Sequence, residues 1–140
     1  MKTRIVVIAL TLIVLFAFVA SVAAQPGPPP LPSSFWGTVR INGQNVPVGT
    51  EISAWINGTR YAWMASFTYP GWGSVYALDV PGDQIGTPQI EGGKAGDMVR
   101  FKVGNYWADQ TALWCSGTNT RLDLTASTLL RSKFFRILRP

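Results

Sequence analysis

The chain has 140 residues, of which 14% are charged and 12% aromatic, and it carries six Trp, 14 Gly and 10 Pro. That mix has the apolar residues for a core, unlike a disordered chain, and is unlike a coiled coil. With no His and a single Cys, it excludes a His-based triad, a His-ligated metal and an intramolecular disulfide. The formal charge of +5 sits at the ends, on Lys2 and Arg4 and on Arg131, Lys133, Arg136 and Arg139. Between Ser33 and Thr125 six basic residues stand against seven acidic ones. The body is close to neutral, so no nucleic acid is expected as a partner.

Lys2 and Arg4 precede an apolar run, Ile5 to Ala20, interrupted only by Thr11. Ser21-Val22-Ala23-Ala24 then offers the small residues that a signal peptidase reads. Residues 1–24 are predicted to be a helical export signal cleaved before Gln25. Retained, the run approaches the length of a membrane anchor. Either outcome makes the protein secreted or displayed at the cell surface. Residues 25–33 hold a Pro-rich linker, QPGPPPLP followed by Ser33, which reads as an extended polyproline II spacer.

Residues 34–126 read as one domain of short strands. Phe35, Gly37, Val39 and Ile41 share one face of the first, with Trp36, Thr38 and Arg40 on the other. Asn42-Gly43 opens a loop running through Pro47 and Gly49. Ile52, Ala54 and Ile56 point inward from the second strand, and Glu51, Ser53 and Trp55 outward. Asn57-Gly58 is a type I′ hairpin signal. Its register sets Ile56 against Thr59, Trp55 against Arg60, Ala54 against Tyr61 and Ile52 against Trp63, which makes Trp63 a core residue. Tyr69 to Gly73 is a loop, and Ser74 to Val80 a strand with Tyr76, Leu78 and Val80 inward. Pro81 to Gly96 is a long loop.

Asp97 to Val103 sends Val99, Phe101 and Val103 inward and Met98, Arg100 and Lys102 outward. The Gly104-Asn105 turn sets Lys102 opposite Trp107 and Arg100 opposite Asp109. Thr111 to Trp114 continues or resumes that strand. Ser116-Gly117 turns the chain into a last strand, Thr118 to Thr125, with Leu122 and Leu124 inward. The predicted fold is all-β, an antiparallel β-sandwich of about seven strands behind the signal helix. Its expected core is Ile52, Trp63, Tyr76, Leu78, Val99 and Phe101. Cys115 reads as a half-buried small hydrophobe or a site of intermolecular pairing.

Three stretches carry a resemblance. The first is Phe35-Trp36-Gly37-Thr38-Val39-x-Ile41-Asn42-Gly43 with Val46-Pro47-Val48-Gly49-Thr50-x-Ile52-x-Ala54. The second is Gly96-Asp97-x-Val99-x-Phe101-x-Val103 with Ala108-x-x-Thr111-Ala112-x-Trp114. The third is Ser116-Gly117-Thr118 with Leu122-Asp123-Leu124-Thr125-Ala126. Together they resemble a module of secreted and cell-surface proteins of bacteria and archaea. Its opening is similar to carboxypeptidase regulatory-like and transthyretin-like, or immunoglobulin-like, sandwich domains. The resemblance implies a non-catalytic extracellular module working in adhesion, envelope structure or protein interaction.

The residues themselves offer little catalytic chemistry. Without His the usual general base is missing, and Cys115 has no activating base in view. No enzyme activity and no cofactor are expected. Asp83, Glu91 and Asp97 bracket the long loop and are weak calcium candidates, although turn-forming roles explain them as well. Asn57-Gly58-Thr59 is a formal glycosylation sequon at Asn57. The distinctive feature is the aromatic surplus. Trp36, Trp55, Arg60, Trp72, Lys102 and Trp107 form the candidate ligand-binding set, for a protein at the cell surface or, through stacking on sugar rings, a glycan. A cation–π partner is expected for each of two of them, Arg60 for Trp55 and Lys102 for Trp107. Residues 127–140 form a basic apolar tail. Arg131, Lys133, Phe134, Arg136 and Arg139 are its candidate membrane contacts, on a short amphipathic helix.

Overall fold

The structure, a computed structural model, describes residues 27–128. The expected signal helix and cleavage site, the first two linker residues and the tail contacts from Arg131 to Arg139 lie outside them. Among the described residues there is no helix. Ten strands follow in order: β1 (Ser33–Ile41), β2 (Gln44–Asn45), β3 (Glu51–Ile56), β4 (Thr59–Ala65), β5 (Phe67–Tyr69), β6 (Gly73–Val80), β7 (Met98–Val103), β8 (Tyr106–Leu113), β9 (Asn119–Arg121) and β10 (Leu124–Ala126).

These strands form one curled sheet in the order β4-β3-β7-β8-β10-β1-β6-β5, with β2 and β9 also on β1. Its two end strands, β4 and β5, are consecutive in the chain and meet at Ser66. The bend is fixed there: Ser66 N–H donates to Thr50 O at 2.8 Å, and its buried hydroxyl to Pro47 O at 2.9 Å. One strand direction thus passes from one side of the sheet to the other, and the sheet is nearly closed and barrel-like. Strand β1 turns a second corner. Its first half pairs with β6 and β9, and its second half with β2 and β10.

The period-two alternation holds where it was clearest. Phe35 and Val39 on β1, Ile52, Ala54 and Ile56 on β3, Tyr76, Leu78 and Val80 on β6, and Val99, Phe101 and Val103 on β7 are buried. Phe35 and Phe101 meet edge-on at the centre, 5.2 Å between rings. Trp114 is buried too, its indole N–H donating to Val80 O at 3.0 Å, and it lies on Gly82 and Gly93 of the long loop. Residues 33–126 therefore supply every described strand and the whole described core.

Four expectations are corrected. Trp63 is not core but 62% exposed. The Asn57-Gly58 turn has the expected positive φ values, 49° and 82°, and the first two pairs hold. The register then shifts between Trp55 and Ala54, giving Ala54↔Ala62, Ser53↔Trp63 and Ile52↔Met64. Tyr61 is the extra residue of a bulge, and one extra residue flips everything beyond it. Arg100 faces Thr111 and not Asp109, because β7 and β8 slip by two residues after Lys102↔Trp107. A two-residue slip preserves the faces, so Arg100 still points outward.

The last strand is two short ones, β9 and β10, both parallel to β1, so the sheet is not antiparallel throughout. Between them Leu122 N–H donates to Trp36 O at 2.7 Å, and Asp123 accepts from Thr38 N–H at 2.8 Å. That crossing needs Gly37: a Cβ there would lie 2.6 Å from Leu122 O. Finally, Cys115 is exposed rather than half-buried.

Candidate functional site

The candidate residues fall into two clusters, on opposite sides of the molecule. Phe35 and Phe101 touch across the core, so the outward neighbours of Phe35 on β1 and of Phe101 on β7 point away from each other.

The first cluster covers β3, β7 and β8. Alternation around Val99, Phe101 and Val103 sends Arg100 and Lys102 outward from β7. Register places Trp55 beside Arg100, and Trp107 beside Lys102. The two indoles meet edge-on at 5.9 Å and 69°. Lys102 Nζ lies 4.7 Å from the Trp55 ring and 4.6 Å from that of Trp107, and the Arg100 guanidinium lies 4.1 Å over Trp107. Trp55 Nε1–H donates to Ser53 Oγ at 2.9 Å, which fixes its indole. Arg60 does not lie over Trp55 as expected. The bulge turns Trp63 onto the face of Arg60, 6.0 Å from its guanidinium, and Arg60 pairs with Glu51 at 3.0 Å.

The second cluster is a cleft of about 470 Å³ lined by Trp36, Phe67, Tyr69, Trp72, Val75 and neighbouring residues of β6. Trp36 comes from the outer face of β1. Trp72 comes from the turn after Tyr69, closed by Trp72 N–H to Tyr69 O at 3.0 Å, with Gly71 and Gly73 at positive φ. The rings of Trp36 and Trp72 are 6.1 Å apart. Arg121 lies 4.6 Å over Trp72 and 5.8 Å over Trp36, and it is held by Asp123 at 3.1 Å. Neither indole N–H has a protein acceptor among the described residues, and the lining is mostly apolar.

Asp123 ties the cleft to the core. The Thr38 backbone N–H, chiefly, holds its carboxyl below the usual carboxylate range; burial opposes this, and the Thr38 hydroxyl and Arg121 add to it. Beneath it Tyr76 donates to Leu122 O at 2.7 Å. Burial pushes the Tyr76 phenol well above its ordinary value, with the Asp123 charge adding.

The sequence set therefore divides into Trp55, Lys102 and Trp107 on one side and Trp36 and Trp72 on the other, with Arg60 at the margin of the first. Arg121 and Phe67 were missed, because strand crossings bring them in from distant positions. Arg100 was readable as outward but not as a partner of Trp107. The calcium candidates are not gathered round a common point. Asp83 accepts from Glu91 N–H at 2.9 Å and pairs with Lys94 at 3.3 Å, while Asp97 accepts from Lys94 N–H at 2.9 Å. Among the described residues no group of three or more His, Cys, Asp or Glu is placed to hold a metal ion. Asn57 stands exposed at its hairpin tip. No protein-family model matches this chain, and no curated protein and no solved structure is found to match it.

Proposed function

We propose that this chain is a non-catalytic module acting outside the cytoplasm, secreted or held at the cell surface, in adhesion, envelope structure or protein interaction. In this reading the fold is a sandwich of immunoglobulin-like or transthyretin-like kind, and the export signal delivers it. The observation that carries the proposal is the cleft between Trp36, Phe67, Tyr69 and Trp72. Its volume, about 470 Å³, falls in the range of ligand sites, roughly 300–1,000 Å³. Large aromatics left half in water are the residues that anchor protein interfaces. An apolar lining favours an apolar side chain of a partner protein as the occupant.

A carbohydrate is the second reading, favoured by one observation. Among the described residues the indole N–H groups of Trp36 and Trp72 have no acceptor, and they lie beside ring faces on which a pyranose can stack.

Binding of residues 27–128 to cell-envelope protein and to deproteinised envelope polysaccharide separates the two. Trp72→Ala is expected to weaken retention on protein roughly tenfold or more, as for a central interface Trp. Retention on the polysaccharide instead would select the second reading. No retention on either would remove the proposal.

A further inference from the structure

Among the described residues, three cations have carboxylate partners: Arg60 with Glu51, Lys94 with Asp83 and Arg121 with Asp123. Arg40, Arg100 and Lys102 have none, and the last two stand two residues apart on the outer face of β7. Of the acids nearest in register, Glu51 is paired with Arg60, while Asp109 accepts from the Thr125 hydroxyl at 3.1 Å and keeps its charge. Arg60, Arg100 and Lys102 against Glu51 and Asp109 leave this face of a near-neutral domain with a net positive charge of one.

Apolar side chains surround those cations. Met98 pairs with Leu113 at one end of β7 and β8, and they are 56% and 64% exposed. Trp107 lies at the other end and Trp63 on β4, 40% and 62% exposed. Four strands at about 4.8 Å spacing make this face roughly 14 Å wide. Arg100 and Lys102 lie against the Trp55 and Trp107 rings, where a neutral sugar would need to stack. The face combines positive charge at its centre with large apolar groups at its margin.

We propose that the outer face of β4, β3, β7 and β8 docks on the anionic surface of a lipid bilayer. Arg100 and Lys102 meet lipid phosphates, while Trp63, Trp107, Met98 and Leu113 enter the boundary between headgroups and acyl chains. That boundary accepts indoles and cations together and requires no matching pocket in a partner. A second observation favours lipid over an acidic protein. Strand β10 ends at Ala126, paired with Ala108 beside Trp107. The sequence after it carries Arg131, Lys133, Arg136 and Arg139, four more cations within thirteen residues of Ala126. The inference does not depend on the occupant of the cleft.

Co-sedimentation of residues 27–128 with lipid vesicles tests it, since they hold the whole described core. The vesicles are phosphatidylcholine alone or mixed with phosphatidylglycerol. Binding is expected only to the anionic vesicles, and to fall with added salt. Arg100→Gln with Lys102→Gln should weaken it roughly thirtyfold, from about fivefold per cation. Lys94→Gln removes a charge outside both the face and the cleft and should leave binding unchanged. Loss in Lys94→Gln equal to that in the double variant, equal binding to neutral vesicles, or no vesicle binding would overturn the proposal. So would polygalacturonate or poly-glutamate binding as tightly as the vesicles, which would make the partner an acidic glycan or protein. Envelope retention through Trp72 is read separately, so either proposal can fail alone.

Discussion

Phe101 and Trp63 show how differently two aromatics of one sheet are placed. Phe101 packs edge-on against Phe35 at the centre of the barrel. Phe101→Ala is expected to cost about 3–5 kcal/mol, a large share of the stability of a small domain. A melting temperature equal to that of the parent chain would contradict its placement. Trp63→Ala should shift stability by no more than about 0.5 kcal/mol, because the indole leaves little apolar surface behind. Gly37 matters for the opposite reason, since it has no side chain to remove. In Gly37→Ala the new methyl would meet the Leu122 carbonyl, a backbone group that cannot rotate away. A cost of about 1–3 kcal/mol is expected, measurable by denaturant titration. Asp123 is expected to contribute to the acid limb of stability. Its folded pKa is depressed, chiefly by the Thr38 backbone N–H. Its contribution is therefore fully present above the unfolded value, near 4, and is lost as pH falls through the folded value. Denaturant midpoints should hold from neutral pH down to about 4 and then fall. Asp123→Asn should lower the neutral midpoint and flatten that fall; an unchanged acid limb would assign it to other carboxylates.

Element by element, what could be read in advance depended on how local its cause was. Alternation is set by each strand alone, and it correctly gave the inward faces of β1, β3, β6 and β7. The Asn57-Gly58 turn is equally local, since its two positive φ values are demanded by the turn itself. Gly58→Ala, at φ 82°, is expected to cost about 1 kcal/mol without changing the pairing of Trp55 with Arg60. A shifted register in the amide spectra of that variant would show that the turn, and not the packing of Ile52 and Ile56, fixes the hairpin. Failures arose where tertiary contacts overrode local pattern. Tyr61 looks like an ordinary strand residue, yet it bulges, and its hydroxyl lies 3.5 Å from Ile90 O of the long loop. Nothing near Tyr61 in the chain signals that contact. The break at Leu122 and Asp123 is similar: it answers Trp36, Gly37 and Thr38, more than eighty residues away. The aromatic surplus was legible as exposed side chains but not as two clusters. Deciding that Trp36 and Trp55 face opposite ways requires knowing that β1 and β7 face each other across the core.

At the scale of the whole molecule, those two clusters differ in kind as well as in position. One is a cleft whose cation, Arg121, is already neutralised by Asp123. The other is an open face whose cations, Arg100 and Lys102, are not. A barrel resting on the second presents the first away from the support, the orientation a surface module needs to meet a partner. The two proposals therefore join in one geometric expectation, testable without knowing that partner. On anionic vesicles carrying bromine-labelled acyl chains, lipid quenching should reach Trp63 and Trp107, while aqueous iodide continues to reach Trp36 and Trp72. Each pair is read by difference, using Trp63→Phe with Trp107→Phe for one and Trp36→Phe with Trp72→Phe for the other. Loss of most lipid-quenchable fluorescence in the first variant alone fits docking through β4, β3, β7 and β8. Equal loss in both would mean that the bilayer does not distinguish the faces. Loss only in the second would place the cleft against the lipid and reverse the orientation. The discriminating feature is the cations' pairing state: an arginine held by Asp123 has little charge to offer a phosphate, whereas Arg100 and Lys102 keep theirs.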